Sequence, residues 1–206
     1  MNDYILELKD FVPVELCKEM ITRFEDDQRK HNGFYNYYLD QKLYTRMKNN
    51  KELFVSEHSD WKDVDEKLLY YFKKAFHEYI KHMKIEFNYS TKEHIYDREL
   101  DHVKNKKTAD IGFAIAEIPR GTSYSWHHDG DMNSSNFVQF VLYLNTLEEN
   151  EDGCTGFLNG RKVRPEAGKM LIYPCSWTFP HTGYEVKVDY KYICTTTFCL
   201  DGFQNV

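Results

Sequence analysis

The chain has 206 residues, enough to bury one sizeable core, and reads as one domain over 1–206. A formal net charge of -6 and a pI near 5.9 argue against a dedicated nucleic-acid binder, because phosphate neutralisation needs a basic face. The apolar fraction is only 41%, but 16 Tyr and 14 Phe place burial on large rings with polar tips, which suits a site that is part apolar and part wet.

From the N-terminus, MNDYILELKDF lacks a basic leader, an apolar run and a small-residue cleavage site, so no signal peptide is expected. No segment approaches the roughly 20 apolar residues of a membrane span, and no membrane partner is expected. Pro13 to Asp27 places Val14, Cys17, Met20, Ile21 and Phe24 at helical spacing, with Pro13 suited to a first turn. Asn32 to Lys51 is polar, tyrosine-rich and without clear period, and is expected to be loop. A second amphipathic helix is expected from about Asp60 to Met83, its stripe formed by Val64, Leu68, Tyr71, Phe72, Ala75, Tyr79 and Met83. Glu86 to Asp110 is charged and aperiodic, and its basic cluster Lys104 to Lys107 reads as a solvated loop. Residues 1–110 thus form helical support and variable loops.

From Ile111 the pattern turns to short β-type runs between glycine and proline punctuation. Strands are expected at Ile111 to Ile118, Tyr124 to Asp129, Asn136 to Asn145, Gly168 to Tyr173, Thr178 to His181 and Lys191 to Cys199. Helices first and many strands after predict an α+β, mainly β fold with a sandwich or barrel core over 111–200. Cys17, Cys154, Cys175, Cys194 and Cys199 are odd in number and lack C-x-x-C spacing, so reduced thiols in an intracellular, cytoplasmic setting are the expectation.

Chemistry concentrates in Ser123 to Gly130, SYSWHHDG. Side chains two apart on a strand leave the same face, so His127 and Asp129 converge while His128 points away. Asp131 shares that parity but lies beyond Gly130, where the strand is expected to end, and ranks second as the carboxylate. A His-x-Asp pair by itself arises by chance and is often only a surface hydrogen-bonded pair. Its weight comes from Phe179 to Phe198, FPHTGYEVKVDYKYICTTTF, which adds a third candidate ligand, His181, and then a cation, Lys191. Two imidazoles and one carboxylate on one face of an iron leave three positions open, the arrangement of non-haem Fe(II) oxygenases. Two of these suit a bidentate 2-oxo acid and the third suits dioxygen. A lysine projecting into the barrel then neutralises the far carboxylate of 2-oxoglutarate, since an unpaired buried ammonium is costly. The plain alternative for Lys191 is an exposed strand lysine.

Tyr124-x-x-His127-x-Asp129, FVQFVLYLN (Phe137 to Asn145), DGCTGF (Asp152 to Phe157), RPEAGKMLIYP (Arg164 to Pro174), and His181-x-Gly183 followed by Lys191 occur in that order. The series resembles the prolyl 4-hydroxylase type of 2-oxoglutarate and Fe(II)-dependent dioxygenase over Ile111 to Cys199. The resemblance implies a double-stranded β-helix (jelly-roll, cupin-like) core with N-terminal supporting helices. It implies His127, Asp129 and His181 as catalytic metal ligands, Lys191 on 2-oxoglutarate, and Fe(II), 2-oxoglutarate and ascorbate as cofactors. Such proteins often carry a tyrosine nine residues before the first ligand, where this chain has Ile118; Tyr124 and Tyr143 are the candidate substitutes. The paired-glycine turn after the YLN strand keeps only its first glycine, as Gly153-Cys154. Trp126 and Trp177 either line the pocket mouth or pack in the core. Because Asp129 is retained, hydroxylation is implied, as halogenating relatives replace that carboxylate with a small residue.

Three readings stay open: the hydroxylase, a cupin-like isomerase or hydrolase using another divalent ion, and a non-catalytic module keeping the barrel. Lys191 separates the first two, since a keto-acid site needs its cation. For the hydroxylase the expected partners are dioxygen and a prolyl residue of a peptide or protein, with a free amino acid or other small molecule as the alternative; an open groove would favour the former.

Overall fold

The computed structural model describes residues 4–39, 42–86, 109–130 and 136–199. Its elements, in order, are β1 (Leu6–Leu8), α1 (Val14–Asp26), β2 (His31–Leu39), β3 (Lys42–Phe54), α2 (Lys62–Glu86), β4 (Ala109–Asp110) and β5 (Ala114–Pro119), then β6 (Tyr124–His127), β7 (Asn136–Tyr143), β8 (Thr155–Phe157), β9 (Lys162–Val163), β10 (Met170–Pro174), β11 (His181–Gly183) and β12 (Tyr190–Cys199). An 8-stranded sheet runs β1-β10-β7-β12-β5-β3-β2, with β4 paired to β12, and a 4-stranded sheet runs β6-β11-β8-β9. The sheets face each other across a cleft lined from both, the jelly-roll arrangement that the family resemblance implies and one form of the sandwich or barrel core expected from the strand pattern.

Strand alternation divides the large sheet into two environments. On β12, Tyr192, Cys194 and Phe198 join the core beneath the helices, while Lys191, Ile193, Thr195 and Thr197 line the cleft. On β7, Val138, Phe140 and Leu142 face the helices; Gln139 and Val141 face the cleft. The helices meet this outer face through Cys17, Met20 and Phe24 of α1 and Val64, Leu68, Phe72, Ala75, Tyr79 and Met83 of α2. Rings carry the contact: Phe72 lies 4.9 Å from Phe113 and Phe76 lies 5.4 Å from Phe198, centroid to centroid, both edge-on. Tyr71, assigned to the stripe from its spacing, is only partly buried against Phe11. At the helix junction the buried Trp61 indole donates to Asp27 at 3.0 Å and the Arg23 guanidinium sits 4.4 Å above its ring. Among the described residues no helix is long and apolar enough to cross a membrane.

Several expectations change. Asn32 to Lys51, read as loop, forms most of the antiparallel β2–β3 pair, with a register shift between Asn32 and Phe34. Its run of tyrosines and polar residues lacks the apolar alternation of a strand with one buried face. The expected strand at Thr178 to His181 instead begins at His181: Phe179 closes a turn onto Ser176 at 2.9 Å, and Pro180 has no amide proton for a ladder. The strand expected from Ile111 starts at Ala114, after Gly112 at φ 84. The short strands β1, β8 and β9 gave no pattern long enough to read. Lys104 to Lys107 and Asp131 lie outside the described residues.

Candidate active site

Two histidines meet because β6 and β11 pair with His127 opposite His181, bringing their ring centroids to 4.3 Å. Asp129 does not continue the strand; β6 ends at His127, and a bend carries the carboxylate back toward the rings. That bend is held by Asn136, whose side-chain amide donates to the Asp129 carbonyl at 2.9 Å, and by the Gly130 amide, which donates to the Cys175 carbonyl at 2.8 Å. A Cβ on Gly130 would lie 2.8 Å from that same carbonyl oxygen, so the close approach needs glycine. Asp129 Oδ1 lies 3.7 Å from His127 Nε2, and Oδ2 lies 3.4 Å from His181 Nε2. One donor atom from each of the three residues falls within 4.8 Å of the other two, a cluster able to hold a metal ion. His128 is exposed and outside it.

The rings are prepared for that role. His127 Nδ1 lies 2.8 Å from the Ser125 carbonyl and His181 Nδ1 lies 3.4 Å from the Phe179 carbonyl. Carbonyl oxygens only accept, so each Nδ1 carries the proton and each Nε2 keeps its lone pair toward the cluster. Burial lowers the pKa of His181 against the opposing effect of Asp129, favouring the neutral ring a metal requires. An N₂O donor set of this kind fits a divalent first-row ion such as Fe(II).

Lys191 is 5% exposed, and its ammonium donates to the Gly153 carbonyl at 2.6 Å. It also lies 5.4 Å over the Tyr143 ring. Among the described residues no carboxylate pairs with it, and burial lowers its pKa to about 8. Among the described residues its contacts are a carbonyl and a ring face, with Asp152 acting on it without an ion pair, so the ammonium is suited to an anion arriving from the cleft. Gly153, at φ 67, shapes the turn that presents its carbonyl, and a Cβ there would come within 2.7 Å of Leu147.

Ile118 pairs with Lys191 across β5 and β12, so the isoleucine fills the neighbouring slot with no hydroxyl to offer. Tyr124 lines the cleft, its phenol pKa raised by burial and by the Glu52 carboxylate. Tyr143 is fully buried, its hydroxyl 2.7 Å from Thr155 Oγ1, and Thr155 rather than Tyr143 reaches the cleft. The cleft encloses ≈ 320 Å³, at the small end of the roughly 300–1,000 Å³ of ligand sites. Trp126 and Trp177 are 49% and 76% exposed, which removes both from the core.

Two further sets of residues line the cleft or touch the cluster without a site motif in the sequence. Lys48, Asn50 and Glu52 of β3 form one wall, and Asn50 Oδ1 is a buried polar atom without a hydrogen-bond partner among the described residues. They were hidden because their segment was read as loop. Tyr173 of β10 places its hydroxyl 3.2 Å from both Asp129 Oδ2 and His181 Nε2. Its signal was a tyrosine within an aliphatic strand, since a buried phenol needs a partner.

Residues 113–199 match the family model described as the 2OG-Fe(II) oxygenase superfamily. A search of the curated proteins finds no match. Among solved structures, the fold is similar to a viral collagen prolyl hydroxylase from Paramecium Bursaria Chlorella virus-1 in a 2OG complex (TM-score 0.59, 15% identity, covering 95% of each chain). It is similar also to a Trichoplax adhaerens prolyl hydroxylase in complex with a hypoxia inducible factor oxygen degradation domain peptide fragment (TM-score 0.68, 14% identity, 97% of this chain and 85% of that one). A Pseudomonas putida prolyl-4-hydroxylase gives a TM-score of 0.60 at 14% identity, over 95% of this chain and 92% of that one. At such identities the structural likeness establishes the fold, and the matched segment contains every residue of the donor cluster and Lys191. The similarity to the 2OG-Fe(II) oxygenase superfamily therefore lies in residues 113–199, the part of the chain that builds most of the cleft. In fold the chain is similar to prolyl hydroxylases.

Proposed function

We propose that the chain hydroxylates an unactivated C–H bond, foremost of a prolyl residue in a peptide or protein, with Fe(II) held by His127, Asp129 and His181 and 2-oxoglutarate held by Lys191. The observation that carries this reading is the meeting, in one cleft, of a three-donor cluster with oriented imidazoles and a buried ammonium that has no ion-pair partner among the described residues. When bound, metal and cosubstrate supply the oxidation: dioxygen gives one atom to succinate, released with CO2, and the other to the substrate as hydroxyl. The protein's own groups set the geometry. Main-chain carbonyls hold both ring protons at Nδ1, Lys191 fixes the cosubstrate's far end, and Tyr124 and Thr155 flank it, with the buried Tyr143 holding the Thr155 hydroxyl from behind. Ascorbate serves as auxiliary reductant. A metal-dependent hydrolase or isomerase has no use for the Lys191 ammonium, which favours the oxygenase.

A peptide is favoured over a free amino acid by the cleft's mouth. Phe34 and Ile111 are 46% and 59% exposed on its lining, and the β3 wall adds Lys48 and Glu52, a mixed surface suited to an extended chain. The Trichoplax relative holds a peptide fragment. With Fe(II), 2-oxoglutarate and air, a panel of proline-containing peptides should include members that gain one oxygen at proline, with succinate formed in equal amount. Oxidation of free amino acids with every peptide untouched would overturn the peptide assignment.

A further inference from the structure

Each imidazole of the cluster has a second anchor of its own, and the carboxylate has one too. Tyr173 hydroxyl lies 3.2 Å from Asp129 Oδ2; among the described residues it is the hydrogen-bond donor to that carboxylate from outside the three-residue cluster. Asp129 needs such a partner more than the histidines do. His127 and His181 are fixed by the β6–β11 ladder, whereas Asp129 sits on a bend past the strand's end, where its main chain is held but its side chain is not.

Tyr173 is well placed to be rigid. It lies inside the large sheet, paired with Gln139 of β7, and is 2% exposed. Its ring is wedged edge-on against Phe157 at 5.2 Å and tilted against His181 at 4.7 Å. A phenylalanine would fill this slot with the same ring contacts, so packing alone gives no reason for the hydroxyl.

The phenol has one proton and two acceptors at the same distance, Asp129 Oδ2 and His181 Nε2. A metal on Nε2 takes up that lone pair and leaves the carboxylate as the remaining acceptor. We infer that Tyr173 is a positioning residue for the metal site: its hydroxyl holds Asp129 Oδ2, sets the carboxylate's rotation and withholds part of that oxygen from the ion. The consequence for the reaction is room. A carboxylate bound through one oxygen leaves three positions open for the cosubstrate and dioxygen, and a carboxylate bound through both would take one of them. This inference rests on His127, Asp129 and His181 being the ligands.

The test is Tyr173→Phe, read by Mn(II) titration with electron paramagnetic resonance. Loss of a partner behind a metal ligand typically weakens binding by about 10–100-fold. The variant should therefore bind Mn(II) at least about 10-fold more weakly, with the melting temperature of the metal-free protein unchanged; 4-aminophenylalanine at position 173, which restores a donor, should recover the affinity. With Fe(II) and 2-oxoglutarate under anaerobic conditions, the visible band should shift in Tyr173→Phe. Equal Mn(II) affinity in the wild type and Tyr173→Phe would overturn the assignment. So would an intense phenolate-to-iron band in the oxidised wild type that the variant lacks, since Tyr173 would then be a ligand itself. A wild type that binds no Mn(II) at all would instead remove the triad reading beneath it.

Discussion

His127→Ala should weaken Fe(II) binding by at least about 100-fold and stop succinate formation, while its neighbour variant His128→Ala keeps both nearly intact. A neutral imidazole contributes one of the three donors of the cluster, and the Nε2 of His127 lies 3.7 Å from Asp129 Oδ1. His128 is exposed and outside the cluster, so its removal leaves the donor set complete. Isothermal titration with Fe(II) under anaerobic conditions measures both variants. Equal losses in the two would mean that the doublet binds as a unit and that the β6 geometry misassigns the ligand.

Lys191→Ala should raise the 2-oxoglutarate KM about 100-fold while leaving metal affinity unchanged. Truncating one partner of a buried charge pair costs about 2–5 kcal/mol, and about 3 kcal/mol corresponds to roughly 100-fold. The lowered pKa adds a signature in pH. With a folded-state value of about 8, Lys191 begins to lose its charge near that pH, so 2-oxoglutarate affinity should fall as pH rises through 8. Stability of the ligand-free protein should move the opposite way. The unfolded chain binds this proton more tightly than the folded one, so Lys191's contribution rises with pH from about 8 toward its ordinary value of ~10.4. Lys191→Met should flatten both slopes. Loss of metal binding in Lys191→Ala would show instead that the lysine supports the cluster rather than the cosubstrate.

How far the site could be read from sequence depended on which contacts are local. His127 was chosen over His128 by alternation along one strand, and the structure places His127 in the cluster and His128 outside it. The same rule reached Asp129 by a different route from the real one, because the strand stops at His127 and a bend, held by Asn136 and Gly130, returns the carboxylate. Alternation also separates Lys191 from Tyr192 on β12, the first facing the cleft and the second the helices. Choice of strand partner was not legible: that His127 faces His181, or that Ile118 sits beside Lys191, is a matter of register between segments far apart in the chain. The β3 wall was hidden for a related reason, since a strand whose side chains are polar and aromatic carries no apolar alternation. Tyr173 was visible as part of a strand but not as a neighbour of Asp129, a contact made across 44 positions of sequence.

Anaerobic titration of the protein with Fe(II) followed by 2-oxoglutarate tests the central claim most directly, because both cofactors must occupy the same cleft to produce a signal. A weak visible charge-transfer band should grow with 2-oxoglutarate, vanish in His181→Ala, and give way to succinate when air is admitted. Absence of the band in the wild type, with no succinate formed under air, would contradict the assignment of this cleft to Fe(II) and 2-oxoglutarate.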